Sequence, residues 1–185
     1  MVDYFPDTPH VYLPATDQKH APKRWILTQE CTDDLKELKK TNIATWQELI
    51  ALMSRYAREG APTSGEDENG NPIASEYELD APVGDRFRPK ISGPRPWLGE
   101  LRIEMHTKEI GAGKHYRLYF GDLCDVAEEA AAQMLAISGG EKWTSNKGAD
   151  QTKVTQRQNH DIEQAMKRII HWCSKNSRTY RELGN

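Results

Sequence analysis

Hydrophobic positions in this chain follow two periods, and the change from one to the other divides the sequence. Trp25, Ile26 and Leu27 form a short apolar run within residues 24–30 that predicts a first strand. Thr32 or Asp33 then offers an N-cap for a helix that uses Leu35 and Leu38. Over residues 45–58, Trp46, Leu49, Ile50, Leu52, Met53, Tyr56 and Ala57 recur at a helical spacing that Gly60 ends. The opening therefore reads strand, helix, helix.

After Gly60 the pattern lapses. Residues 61–84 are rich in Gly, Pro, Ser and acid and read as an exposed loop inserted into the fold, not as core. Alternation of apolar and polar residues begins at Leu98 and runs to Met105; it resumes from His115 to Phe120 after glycines at 111 and 113, which predicts a β-hairpin with a fairly long loop. Residues 126–132 look locally helical or loop-like, and 134–137 read as a buried strand ending at Gly139 and Gly140. Ile162, Ala165, Met166, Ile169, Ile170 and Cys173 then form an apolar stripe that predicts a last helix over 161–173. The expected fold class is α+β: a small antiparallel or mixed sheet with two N-terminal helices and one C-terminal helix packed on it. Residues 24–175 form one domain, with an extended arm at 1–23 and a tail at 176–185.

Side chains alternate across a strand, so Leu101, Ile103 and Met105 share one face while Arg102, Glu104 and His106 share the other. On the partner strand Tyr116, Leu118 and Phe120 are set against His115, Arg117 and Tyr119. Pairing the apolar sides against helices gathers Arg102, Glu104, His106, His115, Arg117 and Tyr119 on one solvent-facing surface. That set holds the parts for cleaving RNA without a metal. A carboxylate or neutral imidazole takes the 2′-OH proton, a protonated histidine supplies the leaving oxygen, guanidiniums stabilise the phosphoryl charge, and a tyrosine stacks on a base. The plainer reading stands beside it: the wet side of an antiparallel sheet is ordinarily polar, and a cross-strand Arg-Glu-Arg set amounts to ion pairs worth under about 1 kcal/mol each.

Charge sharpens this picture. The formal net charge of the 185 residues is −3, which argues against indiscriminate nucleic-acid binding. The average conceals an asymmetry: residues 60–85 carry seven acidic side chains and no Lys or Arg, whereas 86–117 carry eight basic side chains against three acidic ones. Arg86, Arg88, Lys90 and Lys114 thus join His106 and Tyr119 as candidate RNA contacts. The acidic loop either folds over the basic face and restrains it or lies solvated. Three widely spaced cysteines, Cys31, Cys124 and Cys173, lack metal-ligand spacing and read as reduced thiols. No metal or cofactor is expected. The first residues hold no apolar run able to act as a signal peptide and no stretch suits a membrane helix, so the expected location is the cytoplasm. Trp172 reads as core, His160 as an N-cap neighbour of the last helix and His171 as surface. The run SGGEK lacks the spacing of a phosphate loop.

The phrases GELRIEMHTKEIGAGKHYRLYFGD, QMLAISGGEKWTSN and DIEQAMKRIIHW, in that order, resemble the RelE/HigB superfamily of toxin-antitoxin ribonucleases, especially its phage-related HigB-like branch. The resemblance is by motif over residues 98–172 and by element order over 24–59. It implies an endoribonuclease that cuts mRNA, in association with the ribosome, and is neutralised by a cognate antitoxin. It further implies that Arg102, Arg117 and Lys142 bind the scissile phosphate or stabilise its transition state. The face argument adds Glu104 as base and His115 or His106 as acid. Glu104 stands where some relatives carry a second lysine, and the chain is longer than the usual member, a departure compatible with a rival reading: a non-catalytic protein that binds a protein or nucleic-acid partner through the same face.

Overall fold

A computed structural model of the chain describes residues 10–11, 24–59, 65–66, 72–75, 79–83, 90–105, 114–123, 133–143 and 151–183. Strands β1 (His10–Val11) and β2 (Arg24–Leu27) precede helices α1 (Gln29–Thr41) and α2 (Ile43–Glu59). Strands β3 (Gly65–Glu66), β4 (Pro72–Ser75), β5 (Leu79–Ala81), β6 (Leu98–Glu104), β7 (Lys114–Leu123) and β8 (Gln133–Trp143) follow, and helix α3 (Gln151–Lys175) comes last. The strands form one mixed sheet in the order β1-β2-β8-β7-β6-β5-β4-β3, in which only β2 and β8 run parallel. The class is α+β, as the patterning predicts.

Both faces of the sheet are used. Trp25 and Leu27 of β2, Leu101 and Ile103 of β6 and Tyr116, Leu118 and Phe120 of β7 meet Leu35 and Leu38 of α1 and Leu49, Leu52, Met53 and Tyr56 of α2. The indole Nε1 of Trp25 donates to the Met53 carbonyl at 2.8 Å, so a ring that is otherwise apolar also ties β2 to α2. On the opposite face Ile26, Leu98, Tyr119, Leu123, Leu135 and Ile137 pack against Ile162, Ala165, Met166, Ile169 and Cys173 of α3. A register shift between Tyr119 and Phe120 lets one more residue of β8 into the ladder, so that Tyr119 faces Ser138 and Phe120 faces Ala136.

The cap of helix α1 lies four residues before Thr32, the first of the two expected caps. Thr28 is the N-cap, its hydroxyl accepting from the Cys31 amide at 3.2 Å and donating to the Ile137 carbonyl, so one side chain closes the helix and fastens it to β8. Strand β2 is too short to accompany β8 along its length. Where it ends, Asp34 of α1 accepts from the Gly139 amide at 3.0 Å.

Three expectations are corrected. The stretch read as an exposed acidic loop contains β5, whose Leu79 and Ala81 are buried, with Val83 buried just after them; Leu79 pairs with Leu101. The last helix begins at Gln151, not 161, so His160 lies within it and is exposed. The tail is built in: Trp97 N donates to the Arg181 carbonyl, Arg181 N to the Asp122 carbonyl, and Leu183 is buried in the first core. The hairpin loop, residues 126–132 and most of the arm lie outside the described residues. No described helix is long and apolar enough to cross a membrane. Cys31 and Cys173 are buried and not disulfide-bonded, and Cys124 is outside the described set.

Candidate functional site

The ladder between β6 and β7 sets Glu100 opposite Tyr119, Arg102 opposite Arg117 and Glu104 opposite His115. Across β7, strand β8 adds Ser138 beside Tyr119, Gly140 beside Arg117 and Lys142 beside His115. Directly opposed residues share a face, so three parallel rows of polar positions cross the sheet. The alternation read from the sequence therefore brings Arg102, Glu104, His115 and Arg117 together as expected, with Lys142 joining them by register.

Exposure changes row by row because α3 covers only part of this face. Its buried residues Ile162, Ala165, Met166, Ile169 and Cys173 share the second core with Tyr119. Glu100 is 1% exposed. One row further, the side chain of Arg117 is 14% and that of Arg102 26% exposed. At the third row His115 is half-buried and Glu104 exposed. The site is thus a margin, apolar and covered at one end and wet at the other. Tyr119 is 3% exposed, which overturns its expected place on the solvent surface: a ring under α3 is not a stacking platform for a base.

Glu100 is the residue that the sequence reading passed over. Its carboxylate accepts from Arg117 Nη1 at 3.0 Å and lies 3.5 Å from Arg102 Nε, while Arg102 Nη2 also lies 3.8 Å from Asp80 of β5. Burial pushes the Glu100 carboxyl up from its ordinary range, and the two guanidiniums and the Tyr119 hydroxyl pull it back. Burial beside that carboxylate raises the Tyr119 phenol. The signal was present, since Glu100 stands two residues before Arg102 and so on its face, but it was counted only as bulk charge. One acidic side chain of the 61–84 stretch, Asp80, does reach the basic pair, as a strand neighbour and not as a loop folded over it.

The pKa of His115 is lowered from its ordinary value, first by burial and then by repulsion from Arg117, with Glu104 opposing. The shift favours the uncharged imidazole, the form that accepts a proton, over the charged form that the expected role as acid would use. Gly140, beside Arg117, has open space where a Cβ would stand, with nothing within 4 Å. The sheet floor thus carries no side chain at the register position next to Arg117. Of the remaining candidates, Lys90 is exposed and its amide donates to Glu163 of α3. Lys114 and Lys142 are placed by backbone register alone, and Arg86, Arg88 and His106 lie outside the described residues. No protein-family model, curated protein or solved structure matches this chain.

Proposed function

We propose that this face cleaves RNA without a metal, and that the protein is a ribonuclease toxin of the RelE/HigB kind, acting on mRNA in the cytoplasm at the ribosome and held inactive by a cognate antitoxin. The observation that carries the reading is the row Arg102–Arg117–Gly140 on three adjacent strands, with His115 two residues along β7 and its pKa lowered toward the form that accepts a proton. The order of β2, α1, α2, the β6–β7 hairpin, β8 and α3 supports the reading, with β3, β4 and β5 standing between α2 and the hairpin. In this mechanism the phosphodiester rests over Gly140 against the outer edges of Arg102 and Arg117, which meet charge developing on its non-bridging oxygens. His115 takes the 2′-OH proton as that oxygen bonds to phosphorus. The bond from phosphorus to the 5′ oxygen breaks, the leaving oxygen takes a proton from Lys142 or water, and the products are a 2′,3′-cyclic phosphate and a 5′-hydroxyl.

One observation favours the rival reading, a non-catalytic partner-binding protein. Glu100 and Asp80 together carry as much charge as the two arginines they touch, so the row is less basic than the sequence suggests. Host growth after induction separates the two. Because alanine at Arg117 would take from the buried Glu100 the nearer of its two arginine partners, lysine is the better probe: it keeps the charge and loses the planar fork. Growth arrest by the wild type, relieved by Arg117→Lys and by His115→Ala, supports the nuclease; harmless wild-type expression favours the rival.

A further inference from the structure

Resting on the reading of this face as a phosphodiester site, we infer that Glu100 is a positioning residue, which fixes both guanidiniums for phosphoryl transfer and lowers the affinity of the face for RNA in doing so. A carboxylate 1% exposed is a costly group to place in a sheet, and apolar neighbours were on hand: Leu98 precedes it by two residues on the same face and is wholly buried. What the carboxylate provides there is geometry. One oxygen holds Arg117 Nη1 at 3.0 Å and the other lies 3.5 Å from Arg102 Nε, so a single rigid group sets the spacing of two long cationic side chains on adjacent strands. Its own freedom is small, since α3 closes the row over Tyr119, which flanks it on β7. Two arginines on neighbouring strands would otherwise repel and splay, each free to follow any phosphate of the chain.

The same contact subtracts a full positive charge from a surface meant to hold a polyanion. Two opposite consequences follow from one substitution, Glu100→Gln, which preserves the side-chain shape. Neutralising the carboxylate releases cationic charge toward solvent, so binding tightens and becomes more salt-dependent, by about one further phosphate contact, or a slope change of about 0.7 for a single strand. The guanidiniums lose their common anchor, so the transition state loses aligned donors and cleavage slows. A residue of merely structural value would weaken both together.

The experiment compares wild type and Glu100→Gln in two assays: binding of a 2′-O-methyl oligonucleotide, which cannot be cut, across a salt series, and single-turnover cleavage of the matching RNA with ribosomes added. Binding at least threefold tighter with the steeper slope, together with cleavage at least tenfold slower, is the expected result. Unchanged or weaker binding overturns the inference, as does cleavage at the wild-type rate. Should the wild type cut nothing, the nuclease reading fails by itself, and the binding arm alone decides on Glu100. Should Glu100→Gln not fold, the side-chain NMR signals of the wild type decide: slow guanidinium rotation at both Arg102 and Arg117 is expected, and fast rotation at either overturns the proposal.

Discussion

Replacing Gly99 by alanine probes how rigidly the sheet under the site is packed. Gly99 on β6 lies directly opposite Phe120 on β7, and the ring lies over the bare backbone. A Cβ at Gly99 would overlap Cζ of that ring and stand 2.6 and 2.8 Å from Cε1 and Cε2, where ordinary contact needs about 3.5 Å or more. The ring has little room to retreat. Trp25 meets it edge-on with centroids 5.2 Å apart, and Trp97 does so at 5.9 Å. Moving it both strains the strand pair, at about 1–3 kcal/mol, and forfeits one aromatic pairing, worth about 0.5–1.5 kcal/mol. We expect a loss of about 3 kcal/mol, which for a chain of this length lowers the thermal midpoint by roughly 6–12 °C. Gly121→Ala serves as the control, because the nearest atom there is Cδ1 of Ile169 at 2.8 Å, the movable end of a side chain, and its cost should be about 1 kcal/mol. Urea titration of both variants and of Gly99→Ala/Phe120→Leu provides the assay. Equal losses for the two alanines, or no recovery in the double variant, would refute the reasoning.

Four further outcomes follow from the same structure. His115 titrates lower in the folded protein than in the unfolded chain, so its contribution to stability is present above the unfolded value near 6.5 and is lost as pH falls through that value toward the folded one; the urea midpoint should therefore fall between pH 7.5 and 5.5 by more in the wild type than in His115→Gln. Cleavage should rise with pH through the same window and level off near neutrality, whereas a histidine acting as acid would give the reverse. Asp122 is 4% exposed and accepts from Arg181 Nε at 2.8 Å, so Arg181→Met should cost about 2 kcal/mol by thermal unfolding, less than for a fully buried pair because Arg181 is partly wet. Arg117→Lys should slow cleavage on the order of 10²-fold in single-turnover assays while shifting the thermal midpoint by only a few degrees.

Helices α1 and α2, strand β2 and the two hairpin strands were legible because each rests on a local period, and the shared face of Arg102 and Arg117 follows from alternation, whereas their direct opposition is a matter of register that alternation does not give. What escaped depends on what packs against an element. The first ten residues of α3, QTKVTQRQNH, have no apolar stripe, so the helix they form continues a turn that packing starts further along. Strand β5 did leave a trace, since Leu79, Ala81 and Val83 alternate, but acidic neighbours and Pro82 masked it. Tyr119 was assigned to water because alternation reports which face a residue takes, not what covers that face. The tail's role rests on backbone bonds and on Tyr180 and Leu183, two core-packing residues in a polar sequence. Lys142 matched a motif position, and the structure puts it opposite His115 by register.

The measurement that bears most directly on the central claim is a transcriptome-wide map of new 5′-hydroxyl ends after induction of the wild type and of the Arg117→Lys and His115→Ala variants, with both variants shown to be folded and expressed. New ends with the wild type that vanish in both variants are the predicted result. No new ends with the wild type, or ends that persist in both variants, would contradict the assignment of RNA cleavage to the Arg102–Arg117–Gly140 row.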